Sequence, residues 1–227
     1  MRSFLFALFA VVLCGSAAQA QTPDFKATAH TVAVVSLLGD ELNLGASTAR
    51  PVPGAGFDAL VEAAMVKQVM ADLPGVKVSK VDAPRADLLA ALYPPNGFGD
   101  VGMDNLRQAL RLWAAEHAVD YIVVFRKTEG DPFPTVHDKI PFFGIGLANK
   151  NSDAVVNRLT PAALLNVTVL DGTSLAPVAN LSARDTDWSQ YDFKRGVPEA
   201  TWLPRLVDDA KAMLASMTPA LVHGVGF

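Results

Sequence analysis

Cysteine is almost missing. The only thiol among 227 residues, Cys14, lies inside the apolar run that opens the chain. If that run is removed on export, disulfides, thiolate nucleophiles and cysteine-ligated metals are excluded. Basic runs are missing too: 19 Lys and Arg against 23 Asp and Glu leave a formal charge of −4. A mildly acidic chain of this kind offers nothing to a phosphate backbone, which excludes nucleic-acid binding. After residue 20 no stretch approaches the roughly 18 continuous apolar residues of a membrane span. Neither H-E-x-x-H nor G-x-S-x-G occurs, and the four histidines, His30, His117, His137 and His223, have no metal-type spacing.

What is present at the N-terminus specifies a compartment. Arg2 precedes the apolar stretch Phe4–Leu13, and Ala18-Gln19-Ala20 has the small-x-small form of a cleavage site. Residues 1–20 therefore read as a secretory signal peptide, with residues 21–227 as a single exported α/β domain. Lipid attachment at Cys14 is the lesser reading, because Leu13 is bulky where an acceptor site wants Gly or Ala.

Along the chain, Thr31–Leu37 reads as a buried strand, with Glu41–Leu44 continuing into a hairpin and 45–56 as loop. Leu60, Val61, Ala64, Met65, Val69 and Leu73 recur at helical steps, with Asp58 as cap and Pro74-Gly75 as stop. A half-buried strand follows at 76–81, a short helix at 86–92, and a longer helix that Asp104 caps and that ends near His117. Tyr121–Phe125 is the most apolar strand. Residues 127–158 show no periodicity and read as a long loop. Leu164–Leu170 and Leu175–Ala183 flank the turn Asp171-Gly172-Thr173, and a final helix starts at Pro204 and closes at Pro219. The order β-α-β-α-β-β-β-α predicts an α/β (α+β) fold: a mixed sheet of about five strands with helices packed on it.

Three segments carry a resemblance: TVAVVSLLGD at 31–40, AVDYIVVF at 118–125 and NVTVLDGTS at 166–174. In this order they resemble the small α/β domain of periplasmic accessory proteins, the TolB N-terminal domain, the CsgG-type secretion lipoproteins and the LpoB-type activators of peptidoglycan synthases. The resemblance implies an envelope protein that binds other macromolecules and has no active site of its own.

The motifs that suggest chemistry have simpler explanations. Gly39 ends an apolar strand, as in phosphate loops, but Asp40-Glu41 follows it and repels an anion. Gly97-x-Gly99-x-x-Gly102 matches a dinucleotide fingerprint, yet Tyr93-Pro94-Pro95-Asn96 precedes it, which cannot be a buried parallel strand. Asp185, Asp187, Ser189 and Asp192 lack the glycine and glutamate of a calcium loop. No cofactor and no metal is expected. His137-Asp138 is the one pair open to acid–base work, and it supports a hydrolase as the lesser alternative.

The unusual stretch is 140–150, IPFFGIGLANK. Phe142, Phe143, Ile145 and Leu147 either plug the core or form an exposed apolar patch for a protein partner or a membrane surface. Trp188 and Tyr191, on a polar loop, are the second candidate contact. The expectation is a non-catalytic envelope accessory protein acting through protein–protein contacts. A small-ligand or lipid carrier, with Phe142 and Phe143 as pocket walls, is the alternative.

Overall fold

The computed structural model describes residues 24–44, 49–94, 100–132, 142–149, 158–186, 191–192 and 199–227. The leader, the His137-Asp138 pair and Trp188 lie outside the described residues. In chain order the elements are α1 (Phe25–Thr28), β1 (Thr31–Leu37), β2 (Glu41–Leu44), β3 (Ala49–Pro51), α2 (Phe57–Asp72), β4 (Lys77–Lys80) and α3 (Arg85–Leu92). There follow α4 (Asp100–His117), β5 (Tyr121–Lys127), β6 (Glu129–Gly130), β7 (Phe142–Phe143) and β8 (Ile145–Asn149). The chain ends with β9 (Arg158–Asp171), β10 (Pro177–Thr186), β11 (Tyr191–Asp192) and α5 (Glu199–Gly224).

Among the described residues, nine of the strands form one mixed sheet. β1 lies between β4 and β5 and is parallel to both, while β5 runs antiparallel to β9. β8 pairs with β9 on the same side as β5, further along the strand: Leu165 faces Lys127 of β5, and Ala163 faces Ile145 of β8. β2 continues from β1 and runs parallel to β8, and β3 lies beyond β2 as β4 lies beyond β1. The nine strands thus occupy five rows, which is how a sheet of more strands than the sequence suggests keeps the expected breadth.

Helices cover both faces because the central strands are apolar on both. Val32 and Val34 of β1 with Val123 and Phe125 of β5 face α2 and α5. Ala33, Val35 and Leu37 with Ile122 and Val124 face α3 and α4. Each such fully buried Val, Leu or Phe contributes roughly 1.5–3 kcal/mol of transfer free energy. Among the described residues no helix is long and apolar enough to cross a membrane.

Several boundaries differ from the sequence reading. Residues 127–158 do not form one loop, since β6, β7 and β8 lie within them. β9 starts six residues before Leu164 and passes through Pro161, which falls between the part of β9 paired with β10 and the part paired with β11. A missing N–H is tolerated in such a gap. α4 starts at Asp100, so Asp104 is an interior residue paired with Arg107 and not a cap. α5 starts at Glu199 and runs through both Pro204 and Pro219.

Candidate binding surface

The carboxyl ends of parallel strands are where α/β proteins usually place a ligand. Here the chain fills that place with its own side chains. Gly39 has a φ of +67°, which turns the chain sharply after β1. Asp58, in the first turn of α2, accepts hydrogen bonds from the N–H of Leu38 at 2.8 Å, the N–H of Gly39 at 3.2 Å and the hydroxyl of Ser36 at 2.7 Å. A carboxylate thus occupies the position a phosphate would take. Asp58 does not cap α2. Gly56 and Phe57 at the helix start donate instead to Asp40, at 2.9 and 3.2 Å.

Beneath this turn lies a closed charged group. Glu62 of α2, 4% exposed, accepts from the Arg85 guanidinium and from the Ser36 N–H, with Lys80 3.5 Å away. Arg85 also donates to the Ser36 carbonyl. Ser36 has no exposed surface, so no substrate can reach its hydroxyl. The group ties α2, α3 and β1 together.

A second polar group lies at the end of β5. The Lys127 side chain is 2% exposed, and its ammonium meets Glu41 of β2 at 2.7 Å. Burial lowers the Lys127 pKa from its ordinary value, and the Glu41 carboxylate works against that shift. The Tyr93 hydroxyl donates to the Leu37 carbonyl and accepts from the Lys127 N–H, both at 3.0 Å. Burial pushes the Tyr93 phenol well above its usual range.

Of the apolar stretch, residues 142–147 separate into inner and outer side chains. Phe142, Ile145 and Leu147 are buried, at 2%, 1% and 0% exposure. An exposed patch made of all four apolar side chains is therefore corrected to a single half-buried aromatic, Phe143. The cause is strand pairing: β8 lies between β2 and β9, which puts Ile145 and Leu147 into the core under α5, while Phe142 packs on Ala162 and Leu164. The Phe143 ring stands edge-on to Tyr93, centroids 5.6 Å apart, and its carbonyl accepts from the Asn43 amide. Gly144 follows with φ +75°, and a Cβ there would lie 2.6 Å from the Lys127 side chain. Phe143, Tyr93 and Lys127 line a pocket of about 170 Å³, too small for a lipid.

Tyr191 sits on β11 with its backbone paired to Leu159, and the Trp188 part of that loop lies outside the described residues. His117 stacks on Trp113 with ring centroids 4.2 Å apart, and His223 lies 3.3 Å from Asp72. Among the described residues no three His, Cys, Asp or Glu side chains group as metal ligands. Gly102, last of the fingerprint-like glycines, is inside α4, where a Cβ would lie 2.1 Å from the Leu92 carbonyl. It serves helix packing. Sequence reasoning missed the Asp58 and Lys127 groups, although the acid at the start of α2 and the lysine ending an apolar strand were both visible.

No protein-family model and no curated protein sequence matches the chain. Solved structures similar to it include the PelC dodecamer from Paraburkholderia phytofirmans, 15% identical over 85% of this chain and 87% of that one, TM-score 0.36. Another is protein XCC0632 from Xanthomonas campestris, 10% identical over 86% and 82%, TM-score 0.41. A third is the LpoB C-terminal domain from Salmonella enterica, 11% identical over 70% and 85%, TM-score 0.31.

Proposed function

We propose that the protein is an exported, non-catalytic accessory protein of a bacterial envelope that binds a protein partner through the surface around Phe143, with the Trp188–Tyr191 loop as a second contact. The observation that carries this reading is the mounting of Phe143. Its ring is set against Tyr93, its carbonyl is tied to Asn43, and the next residue is a glycine closed down on Lys127. An aromatic side chain held in one orientation loses little entropy on binding, which is what makes such residues effective anchors. The leader-like N-terminus supports export, and the self-filled turn after β1 supports binding by surface over binding in a cleft.

The test is photocrosslinking in cells from a photoreactive residue at 143, with one at the solvent-facing Leu112 of α4 as control. The expected outcome is a discrete protein adduct from position 143 and none from 112. A background-level signal from 143 in an expressing, folded variant rejects the reading.

A further inference from the structure

The sheet face under α4 changes character where the helix no longer covers it. Toward β1 it is apolar, but on the β9–β10 hairpin it carries Asn166, Thr168, Asn180 and Ser182. Asn166 pairs directly with Ser182 and Thr168 with Asn180. Asn166 and Thr168 are buried, at 2% and 3% exposure, while Asn180 and Ser182 are exposed. Beside this ladder lies a groove of about 260 Å³, with Met103, Asp104 and Arg107 of α4 on one side and Arg126, Thr168 and Asn180 on the other.

The ladder has a direction. The Asn166 amide donates to Asn180 Oδ1 at 2.6 Å and to Ser182 Oγ at 2.8 Å, which uses both of its N–H groups. Thr168 donates to Asn166 Oδ1 at 2.9 Å. The acceptor oxygen of Asn180 is therefore turned inward and its NH₂ outward, and the Ser182 oxygen accepts from within and leaves its hydrogen for the outside. What the hairpin presents is donors, next to the guanidinium groups of Arg107 and Arg126. A donor-rich groove suits an acceptor-rich, anionic ligand.

Asp104 narrows the class. Its carboxylate pairs with Arg107 and stays 65% exposed at the rim. It repels a bare carboxylate but accepts from a hydroxyl. Leu170 and Pro177 add an apolar floor for C–H groups. We propose that this groove binds an acidic sugar, its carboxylate toward the arginines and its hydroxyls between Asn180 and Asp104. This inference is independent of the protein-contact reading at Phe143.

The test is an NMR titration of the full chain with D-glucuronate, D-glucose and acetate, following the side-chain NH₂ of Asn180 and the backbone amides of Thr168 and Arg107. The expected result is saturable shifts with glucuronate, and binding at least about tenfold weaker for glucose, which lacks the charge, and for acetate, which lacks the hydroxyls. Asn180→Asp keeps the inward oxygen for Asn166 and Thr168 but replaces the outward donors with an acceptor. It is expected to weaken glucuronate about tenfold or more with the hairpin amides unchanged. Arg107→Gln, at a surface position, is expected to act in the same direction. Unmoved Asn180 signals, equal binding of either control compound, or full affinity in both variants overturns the proposal.

Discussion

The Lys127 ammonium and the Glu41 carboxylate meet at 2.7 Å where the end of β5 faces the start of β2, and only the carboxylate reaches solvent, 46% exposed against 2%. The two partners are therefore not equivalent. Glu41→Gln leaves a buried ammonium with a neutral neighbour, whereas Lys127→Met keeps an apolar stem in the same space and leaves Glu41 in water. Breaking a buried pair from one side costs about 3–5 kcal/mol, and the exposure of Glu41 reduces this to about 1–3. Urea denaturation is expected to show Glu41→Gln as the less stable variant and Lys127→Met within about 1 kcal/mol of wild type. The reverse order would mean that the Lys127 ammonium, and not its pairing with Glu41 alone, stabilises the fold, since the apolar stem survives in Lys127→Met.

Asp58 answers the question raised by a glycine at the end of an apolar strand. It satisfies two backbone N–H groups and one hydroxyl, and it is only 18% exposed. Asp58→Ala is expected to lower stability by roughly 2–4 kcal/mol, the cost of orphaning charge-assisted partners. It also vacates an anion-shaped position with Arg85 beside it. Sulfate should then raise the melting temperature of the variant and leave that of wild type unchanged at matched ionic strength, as read by thermal scanning with chloride as reference. Equal responses from the two proteins would show that the amides are not an anion site even when uncovered.

The parts of the fold that were legible in the sequence are those whose signal is local. β1 and β5 are short β-branched runs buried on both faces, so their composition alone identifies them. β8 gave no such signal, because Gly146, at φ +151°, is dictated by a remote neighbour: a Cβ there would lie 1.9 Å from the Asn43 carbonyl of β2. Pro161 hid the first half of β9 for the same reason, since what makes a proline acceptable is a gap in pairing contributed by other strands. Of the site, the aromatic pair 142–143 was visible as a dense apolar cluster. Which of the two faces inward depends on the pairing of β7 with β6, which sets Gly130 opposite Phe142 and Glu129 opposite Phe143. The Asn166–Asn180 ladder appeared only as two separated asparagines on neighbouring strands. The hairpin register, fixed by the Asp171–Ser174 turn, brings them together.

Asp120 gives the fold an acid-sensitive clasp. Its carboxylate accepts from the N–H groups of His30 and Thr31, both at 2.8 Å, and from the Thr31 hydroxyl at 3.0 Å, joining the start of β1 to the start of β5. Partial burial pushes its pKa up, but these donors outweigh that and hold it below the ordinary 3.8. A carboxyl with a depressed folded-state pKa contributes stability above its unfolded value and loses that contribution as pH falls through the folded one. Asp120→Asn removes the charge but keeps the shape. It is expected to cost about 1 kcal/mol at pH 7, the low end for charge-assisted bonds at a partly solvated site. Below pH 4 that difference should shrink, because wild type protonates the same group. Urea midpoints of the two proteins at pH 7 and pH 3 check this, and comparing them cancels the parallel titration of Asp82 and Asp171, whose carboxyls are also held low. A gap that stays constant across that range would assign the clasp to packing and remove Asp120 from the acid response.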